Sequence, residues 1–166
     1  MPTSGANRPG PLRPRPLTEP TGTNPVAIRL ERLGIDAVVE TAEFEAEQPV
    51  SPSAPELTAW YPRSSLLGVP GVILIGGLTT LGDAGPSAFT RLSEAKSGDL
   101  VELTGANGGT FQYTLETVDS DAAPPDFATL LAQRDADRLV LIGWSGEFPR
   151  PGAGVTIVMA AGVRQS

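Results

Sequence analysis

The chain has few side chains of the kinds that enzymes use for covalent or acid–base chemistry. Among its 166 residues there is no Cys and no His, which excludes thiolate nucleophiles, imidazole bases, disulfides and the usual zinc ligands. The remaining reactive groups are hydroxyls, carboxylates, guanidinium groups and one amine, that of Lys96. Any reaction must be built from these groups.

Ser145 is the strongest candidate nucleophile among the hydroxyls. A serine needs a base that accepts its proton, and the nearest carboxylate along the chain is Glu147, two residues away. Lys96 is distant in sequence, and backbone N–H groups are the only evident oxyanion donors. The alternative interpretation makes Ser145 a turn residue before Gly146.

Acidic residues occur in two groups that resemble cation ligands in composition only. The first group is Glu40, Glu43, Glu45 and Glu47, and the second lies at Asp119–Asp121. A calcium loop needs six or more converging oxygens, whereas Asp119–Asp121 runs into Ala and Pro. We interpret both groups as solvated loops, and the sequence predicts no metal and no cofactor.

These positions lie among short apolar segments that are typical of β-strands. Gly71–Ile75 is continuously apolar, as expected of a strand buried on both faces, and Asn107-Gly108-Gly109 predicts a hairpin turn. The other predicted strands are Val26–Leu30, Ala37–Glu40, Leu57–Tyr61, Leu100–Thr104, Phe111–Val118, Leu139–Ile142 and Val155–Met159.

Two short helices and one domain complete the predicted organisation. Asp126–Arg134 has a capping Asp126 and one apolar face, and Pro86–Ser93 predicts one or two further turns. Residues 1–24 contain many prolines and few apolar side chains, so we expect a disordered or polyproline-like arm. Residues 25–163 are long enough for one core, and their periodicity predicts a mainly β domain, a barrel or a sandwich.

Charge and hydropathy limit the partners. The formal charge of −7 argues against nucleic acid and against an anionic membrane surface. No stretch approaches the roughly 20 apolar residues that span a bilayer, and no signal-peptide core is evident. Attachment to a membrane would therefore require an N-terminal anchor outside this sequence.

Several segments, in this order, resemble the sortase family, and most closely its actinobacterial class E and F types. They are VAIRLERLGIDAVV at Val26–Val39, AWY at Ala59–Tyr61, GVILIGGLTT at Gly71–Thr80, FTRLSEAKSGDL at Phe89–Leu100, Tyr113–Val118, LVLIGWSG at Leu139–Gly146, and Val155–Ala160. The resemblance covers residues 25–161. It implies a closed β-barrel of about eight strands with one or two short helices.

The resemblance also implies where catalytic residues would stand. Sortases use a Cys nucleophile, a His acid/base and an Arg that stabilises the acyl transition state. By this comparison the His position falls on Gly77 and the Cys position on Trp144. Arg150 is the nearest candidate for the Arg, but it lies between two prolines and closer to Trp144 than the family pattern has it.

These replacements predict a non-catalytic sortase-like domain that acts as a binding or scaffold module outside the cell or at its surface. A peptide or surface protein would bind in the former sorting-signal groove, at Gly77, Leu78, Trp144 and Ser145. Two alternatives remain: an acyl hydrolase or transpeptidase that uses Ser145, and a purely structural domain. Trp144 is either a ligand platform or a plug, and we expect its indole to lie over Gly77.

Overall fold

The computed structural model describes residues 22–45, 48–50, 52–54, 56–80, 87–120, 126–134, 137–145 and 157–164. Residues 1–21, most of the predicted arm, lie outside these ranges. Residues 22–24 are described, and Thr23 forms an antiparallel bridge with Leu67. The Thr23 N–H donates to the Leu67 carbonyl at 3.2 Å, and the Leu67 N–H donates back at 2.9 Å.

A closed barrel forms the body of the molecule. The strands of the described ranges are β1 (Pro25–Leu30), β2 (Ile35–Thr41), β3 (Phe44–Glu45), β4 (Gln48–Pro49), β5 (Thr58–Trp60), β6 (Gly71–Thr80), β7 (Leu100–Gly105), β8 (Thr110–Asp119), β9 (Asp137–Ser145) and β10 (Ile157–Arg164). Eight of them close in the order β1-β2-β5-β6-β9-β10-β8-β7, while β3 and β4 form a separate two-stranded ribbon. The predicted barrel of about eight strands is confirmed.

Strand β6 is buried on both faces, as its continuous apolar sequence predicts. Successive side chains of a strand point to opposite faces, so Ile73 and Ile75 join the core inside the barrel. Leu74 and Leu78 join a second core on the outside. We call these the inner core and the outer core. The strand is also longer than predicted, because pairing with β5 and β9 continues it past Ile75 to Thr80.

The hairpin between β7 and β8 has its turn where the sequence predicts it. Gly108 adopts a φ of 89°, a left-handed conformation that glycine reaches without steric cost. The Asn107 side-chain oxygen accepts a hydrogen bond from the Gly109 N–H at 2.9 Å. The turn therefore sets the register between β7, which precedes it, and β8, which follows it.

Helical structure is short. The α-helix α1 (Phe127–Leu131) begins after Asp126, whose carboxylate accepts hydrogen bonds from the Ala128 and Thr129 N–H groups. The predicted cap is therefore present. Two 3-10 helices, Glu31–Leu33 and Leu92–Glu94, complete the described helical segments. None of the helices in the described part of the chain has the length and apolar character needed to cross a membrane.

An ion pair between Arg32 and Asp99 lies beside the inner core, near the two 3-10 helices. Leu33 and Leu92 belong to that core. The Arg32 guanidinium donates to both Asp99 carboxylate oxygens, at 2.6 and 2.7 Å, and to the Glu94 carbonyl at 2.9 Å. This contact ties the segment before β2 to the turn before β7.

Candidate functional site

The parallel pairing of β6 with β9 brings the predicted site residues together. In its register Gly77 lies beside Gly143, Leu78 beside Trp144, and Thr80 beside Ser145. Residues 77 and 144 therefore lie on neighbouring strands near one end of the same pair. The backbone positions assigned from the sequence are adjacent in space.

Gly77 and the Trp144 indole lie on opposite faces of the sheet. The prediction that the indole lies over Gly77 is therefore wrong. A Cβ atom built at Gly77 would lie 2.8 Å from the Phe89 ring, in the inner core. A Cβ atom at Gly76 would lie 2.7 Å from Trp144 Cη2, in the outer core. The indole therefore lies over Gly76, because alternate residues of β6 face opposite sides of the sheet.

Leu78 is the β6 residue that shares both the register and the face of Trp144. Both side chains belong to the outer core. Leu78 is 5% exposed and Trp144 is 0% exposed. A catalytic side chain on β6 that acts together with residue 144 would thus stand at position 78, whereas one at position 77 would point into the barrel.

Trp144 packs against buried apolar side chains of the described residues. Ala59, Tyr61, Leu74 and Ile157 belong to the same outer core, and all are buried. A fully buried indole presents no surface on which a ligand could stack. It instead fills the volume beside Gly76, which is the packing expected of a large side chain opposite a residue without a side chain.

Tyr61 is the ionisable group of this cluster, and the sequence analysis assigned it no role. Its hydroxyl donates a hydrogen bond to the Val50 carbonyl at 2.7 Å. Burial raises the pKa of this hydroxyl, and the Glu40 carboxylate raises it further. Tyr61 is therefore neutral at physiological pH and cannot serve as a base there. Its place after β5, in a run of two aromatics, was the available signal.

The other candidate residues differ in how far the structure describes them. Ser145 ends β9 and its side chain lies outside the described parts of the chain, as do Glu147 and Arg150. Lys96 is exposed in the turn before β7, where its backbone N–H donates to Asp99 at 2.8 Å. Within the described ranges, no group of three or more acidic residues is placed to hold a metal ion.

Phe44, in β3 of the ribbon, is a second residue beside the site that no sequence pattern indicated. Its ring meets the rings of Tyr61 and Phe127 edge to face, with centroids 5.4 and 5.5 Å apart. The Arg63 guanidinium lies 4.9 Å from the centroid of the Phe44 ring. The outer core therefore continues from Trp144 through Tyr61 to an aromatic cluster beside α1.

The architecture defines a class of protein: a closed, mainly β barrel whose parallel pair β6 and β9 carries the candidate site. Solved structures of this class match it. Sortase C-1 from Actinomyces oris is 17% identical with a TM-score of 0.62, over 86% of this chain and 76% of that one. Sortase C1 from Streptococcus agalactiae is 18% identical with a TM-score of 0.63, over 90% and 70%. Such identities show the fold alone.

Sortase A from Corynebacterium diphtheriae is also similar, at 18% identity and a TM-score of 0.62. The match covers 87% of this chain and 62% of that protein's chain. No curated protein matches this chain by sequence. The family model described as Sortase domain matches residues 28–162, which is more than half of the chain. The chain belongs to the sortase family.

Proposed function

We propose that this protein is a non-catalytic member of the sortase family that acts as a binding or scaffold module at the cell surface. One observation carries the proposal. Leu78 and Trp144 lie side by side at the end of β6 and β9, both are buried, and the whole chain lacks Cys and His. We also propose that it is closest to the class E and F types, on the order of its sequence motifs.

Acyl transfer needs a nucleophile, a group that moves protons and a stabilised oxyanion. An indole provides one N–H donor and no nucleophile, and an isobutyl group moves no proton. The geometry favours Leu78 over Gly77 as the counterpart of the family's His, because only Leu78 shares the face of Trp144. The Gly-His pair of the family then corresponds to Gly77-Leu78.

A buried Trp144 favours the plug over the platform. The indole packs over Gly76 with no exposed surface, so a peptide in the former groove would contact the rim of the outer core rather than the indole. The partner that we propose is a peptide or a surface protein, by analogy with the family. Nothing in the described residues argues for nucleic acid.

The decisive experiment measures turnover of a sorting-signal peptide with hydroxylamine as acceptor, with a sortase that has both the Cys and the His of the family as the active control. We expect product from the control and none from this protein. A serine-directed phosphonate tests the alternative enzyme in parallel, and we expect no labelling. Turnover would overturn the non-catalytic role, and labelling that disappears in Ser145→Ala would identify a serine-dependent acyl transferase in its place.

Binding separates the module from a purely structural domain. We expect the same sorting-signal peptide to bind without being cleaved, measured by titration calorimetry or NMR. A peptide of scrambled sequence is the matched control. If neither peptide binds at saturating concentrations, the binding role is wrong and the structural alternative stands.

A further inference from the structure

The turn of the β7–β8 hairpin contains an Asn-Gly pair that the proposed function does not use. Of the three asparagines in the chain, Asn107 alone precedes a glycine. Another precedes Pro25, which has no backbone N–H, and the third precedes the long side chain of Arg8. Asn107 and Gly108 are both exposed. Water and base therefore reach this pair, and the backbone nitrogen of a glycine is not shielded by a side chain.

Asparagine is thermolabile because its side chain can deamidate, and the reaction needs only water. Once hydroxide has removed the proton of the Gly108 backbone nitrogen, that nitrogen attacks the side-chain carbonyl carbon of Asn107. The new C–N bond closes a succinimide ring, and the side-chain amine leaves as ammonia with a proton from water. Water then opens the ring at either carbonyl, which gives aspartate or isoaspartate. In isoaspartate the backbone runs through the former side chain and is longer by a methylene group.

Three hydrogen bonds oppose this reaction while the turn is closed. The Gly108 N–H donates to the Gly105 carbonyl at 2.9 Å, so the attacking nitrogen retains its proton. The Asn107 side-chain oxygen accepts from the Gly109 N–H at 2.9 Å, which fixes the side chain. The Asn107 N–H donates to the Thr23 hydroxyl at 3.2 Å. The attack therefore requires the turn to open, and its rate follows the population of the open turn.

Thr23 connects this turn to the residues that enter β1. Its hydroxyl is the acceptor for the Asn107 N–H, although the two residues are 84 positions apart. Its backbone forms the bridge with Leu67, with hydrogen bonds of 3.2 and 2.9 Å. The Ala106 N–H donates to the Asn24 carbonyl at 2.8 Å, and Thr23 is 8% exposed. The turn and the entry to β1 therefore support each other.

We propose that Asn107 is a deamidation site whose rate is limited by opening of the β7–β8 turn, and that isoaspartate at this position releases Thr23. The longer backbone cannot form both hydrogen bonds that Gly105 makes across the present turn, because the length of a turn sets its register. The bridge between Thr23 and Leu67 then loses its support and opens more often. The aspartate product keeps the backbone unchanged, and its carboxylate accepts the Gly109 N–H, so Thr23 stays in place.

Ageing of the full chain tests the site. The protein is kept at mildly alkaline pH with or without urea, and mass spectrometry with electron-transfer fragmentation distinguishes isoaspartate from aspartate in its peptides. We expect conversion at Asn107 in both conditions, and at least about tenfold faster in urea, where the turn is open. The peptide that contains Asn7 is the internal control and should convert more slowly in urea. No conversion in urea, none in the folded chain after prolonged ageing, or equal rates in the two conditions would overturn the proposal.

Substitutions of Thr23 test its link to the turn. Thr23→Val removes the acceptor for the Asn107 N–H and keeps the shape of the side chain, so it should speed deamidation of the folded chain about fivefold. Thr23→Ser keeps the hydroxyl and should convert as the wild type does. Thr104→Val makes the same change elsewhere on the hairpin and is the matched control. In urea all four proteins should convert at one rate. A Thr23→Val protein that is folded by its NMR spectrum and converts at the wild-type rate would contradict the link.

Hydrogen exchange of the aged protein tests the release of Thr23. The isoaspartyl fraction is separated by chromatography, and Asn107→Asp supplies a protein with the same charge and an unchanged backbone. We expect the amides of Thr23 and Leu67 to exchange several-fold faster in the isoaspartyl fraction and at the wild-type rate in Asn107→Asp. Unchanged exchange in the isoaspartyl fraction, or the same acceleration in Asn107→Asp, would show that the longer backbone does not release Thr23. None of these results depends on whether the chain is catalytic.

Discussion

At the scale of single residues, two adjacent glycines of β6 leave space for two aromatic rings, which pack on opposite faces of the strand. Trp144 lies over Gly76 in the outer core, and Phe89 lies over Gly77 in the inner core. Each ring leaves too little room for a Cβ atom on its glycine. A Cβ atom built on Gly76 would lie 2.7 Å from the Trp144 ring, and one built on Gly77 would lie 2.8 Å from the Phe89 ring. The two glycines therefore have separate packing partners although they are neighbours in the chain.

A pair of mutant cycles tests this arrangement. Gly76→Ala and Gly77→Ala should each destabilise the protein by about 1–3 kcal/mol through overpacking. Trp144→Phe should reduce the effect of Gly76→Ala and leave that of Gly77→Ala unchanged, because the smaller ring makes room on one face only. Phe89→Leu should do the reverse. The measurement is the free energy of unfolding in urea for each single and double variant.

Each cycle serves as the control of the other. Coupling between Gly77→Ala and Trp144→Phe, with none between Gly76→Ala and Trp144→Phe, would return the indole to Gly77 and contradict the structure.

At the scale of elements, the β3–β4 ribbon is attached to the outer core by a few contacts. The Tyr61 hydroxyl donates to the Val50 carbonyl at 2.7 Å. The Ala42 N–H donates to the Trp60 carbonyl at 2.9 Å, and Phe44 packs on Tyr61. Because the ribbon has two residues in each strand, these attachments rather than its own pairing keep it in place.

Tyr61→Phe should therefore loosen the ribbon. It removes the hydrogen bond to Val50 and keeps the ring, so we expect a loss of about 1 kcal/mol in the free energy of unfolding. The amide of Val50, which donates to the Glu43 carbonyl, should exchange faster with solvent. Urea unfolding and hydrogen exchange followed by NMR measure the two effects.

The chain offers a matched control in Tyr113. Its hydroxyl is buried in the inner core and has no hydrogen-bond partner among the described residues. Burial raises the pKa of this hydroxyl as well, so it stays neutral. Tyr113→Phe should leave the stability unchanged or raise it, because no bond is lost and a desolvated hydroxyl is removed. Equal destabilisation by the two substitutions would show that Tyr61 does not anchor the ribbon.

At the scale of the whole molecule, Arg32 and Asp99 connect parts of the barrel that are 67 residues apart. The hydrogen bonds from Arg32 lower the pKa of the Asp99 carboxyl, and the Lys96 N–H lowers it further against the opposing effect of desolvation. The folded protein thus holds this carboxyl ionised at a pH where the unfolded chain protonates it.

Stability should fall in acid partly through this group. Since the pKa of Asp99 is lower in the folded than in the unfolded state, its contribution is present above the unfolded value of about 3.9. It is lost as the pH falls through the folded value. Asp99→Asn should reduce the free energy of unfolding by about 2 kcal/mol at pH 6. Its difference from the wild type should shrink progressively below about pH 4.

Urea unfolding midpoints of both proteins across that pH range provide the measurement. The exposed Asp36 of β2 supplies the control, because Asp36→Asn makes the same change of charge away from Arg32. A difference between Asp99→Asn and the wild type that stays constant down to pH 3 would contradict the linkage to Arg32.

Local patterns of the sequence determined most of the fold, and its composition showed the absence of Cys and His. Apolar alternation and the Asn107–Gly109 turn depend on neighbouring residues, so they predicted strands such as β6 and the β7–β8 hairpin correctly. The order of the motifs indicated the sortase barrel, which the fold and the family match confirm. The absence of Cys and His is a property of composition and needs no structure.

Only the tertiary structure decided which face each site residue occupies and which distant segments meet. A shift of one residue along a strand moves a side chain to the other side of the sheet, so counting along β6 could not tell whether Gly76 or Gly77 lies under Trp144. The cluster of Phe44, Arg63 and Phe127 joins segments far apart in the chain. No local pattern encodes that meeting, because it results from the closure of the barrel and the packing of the ribbon and α1 against its outer face.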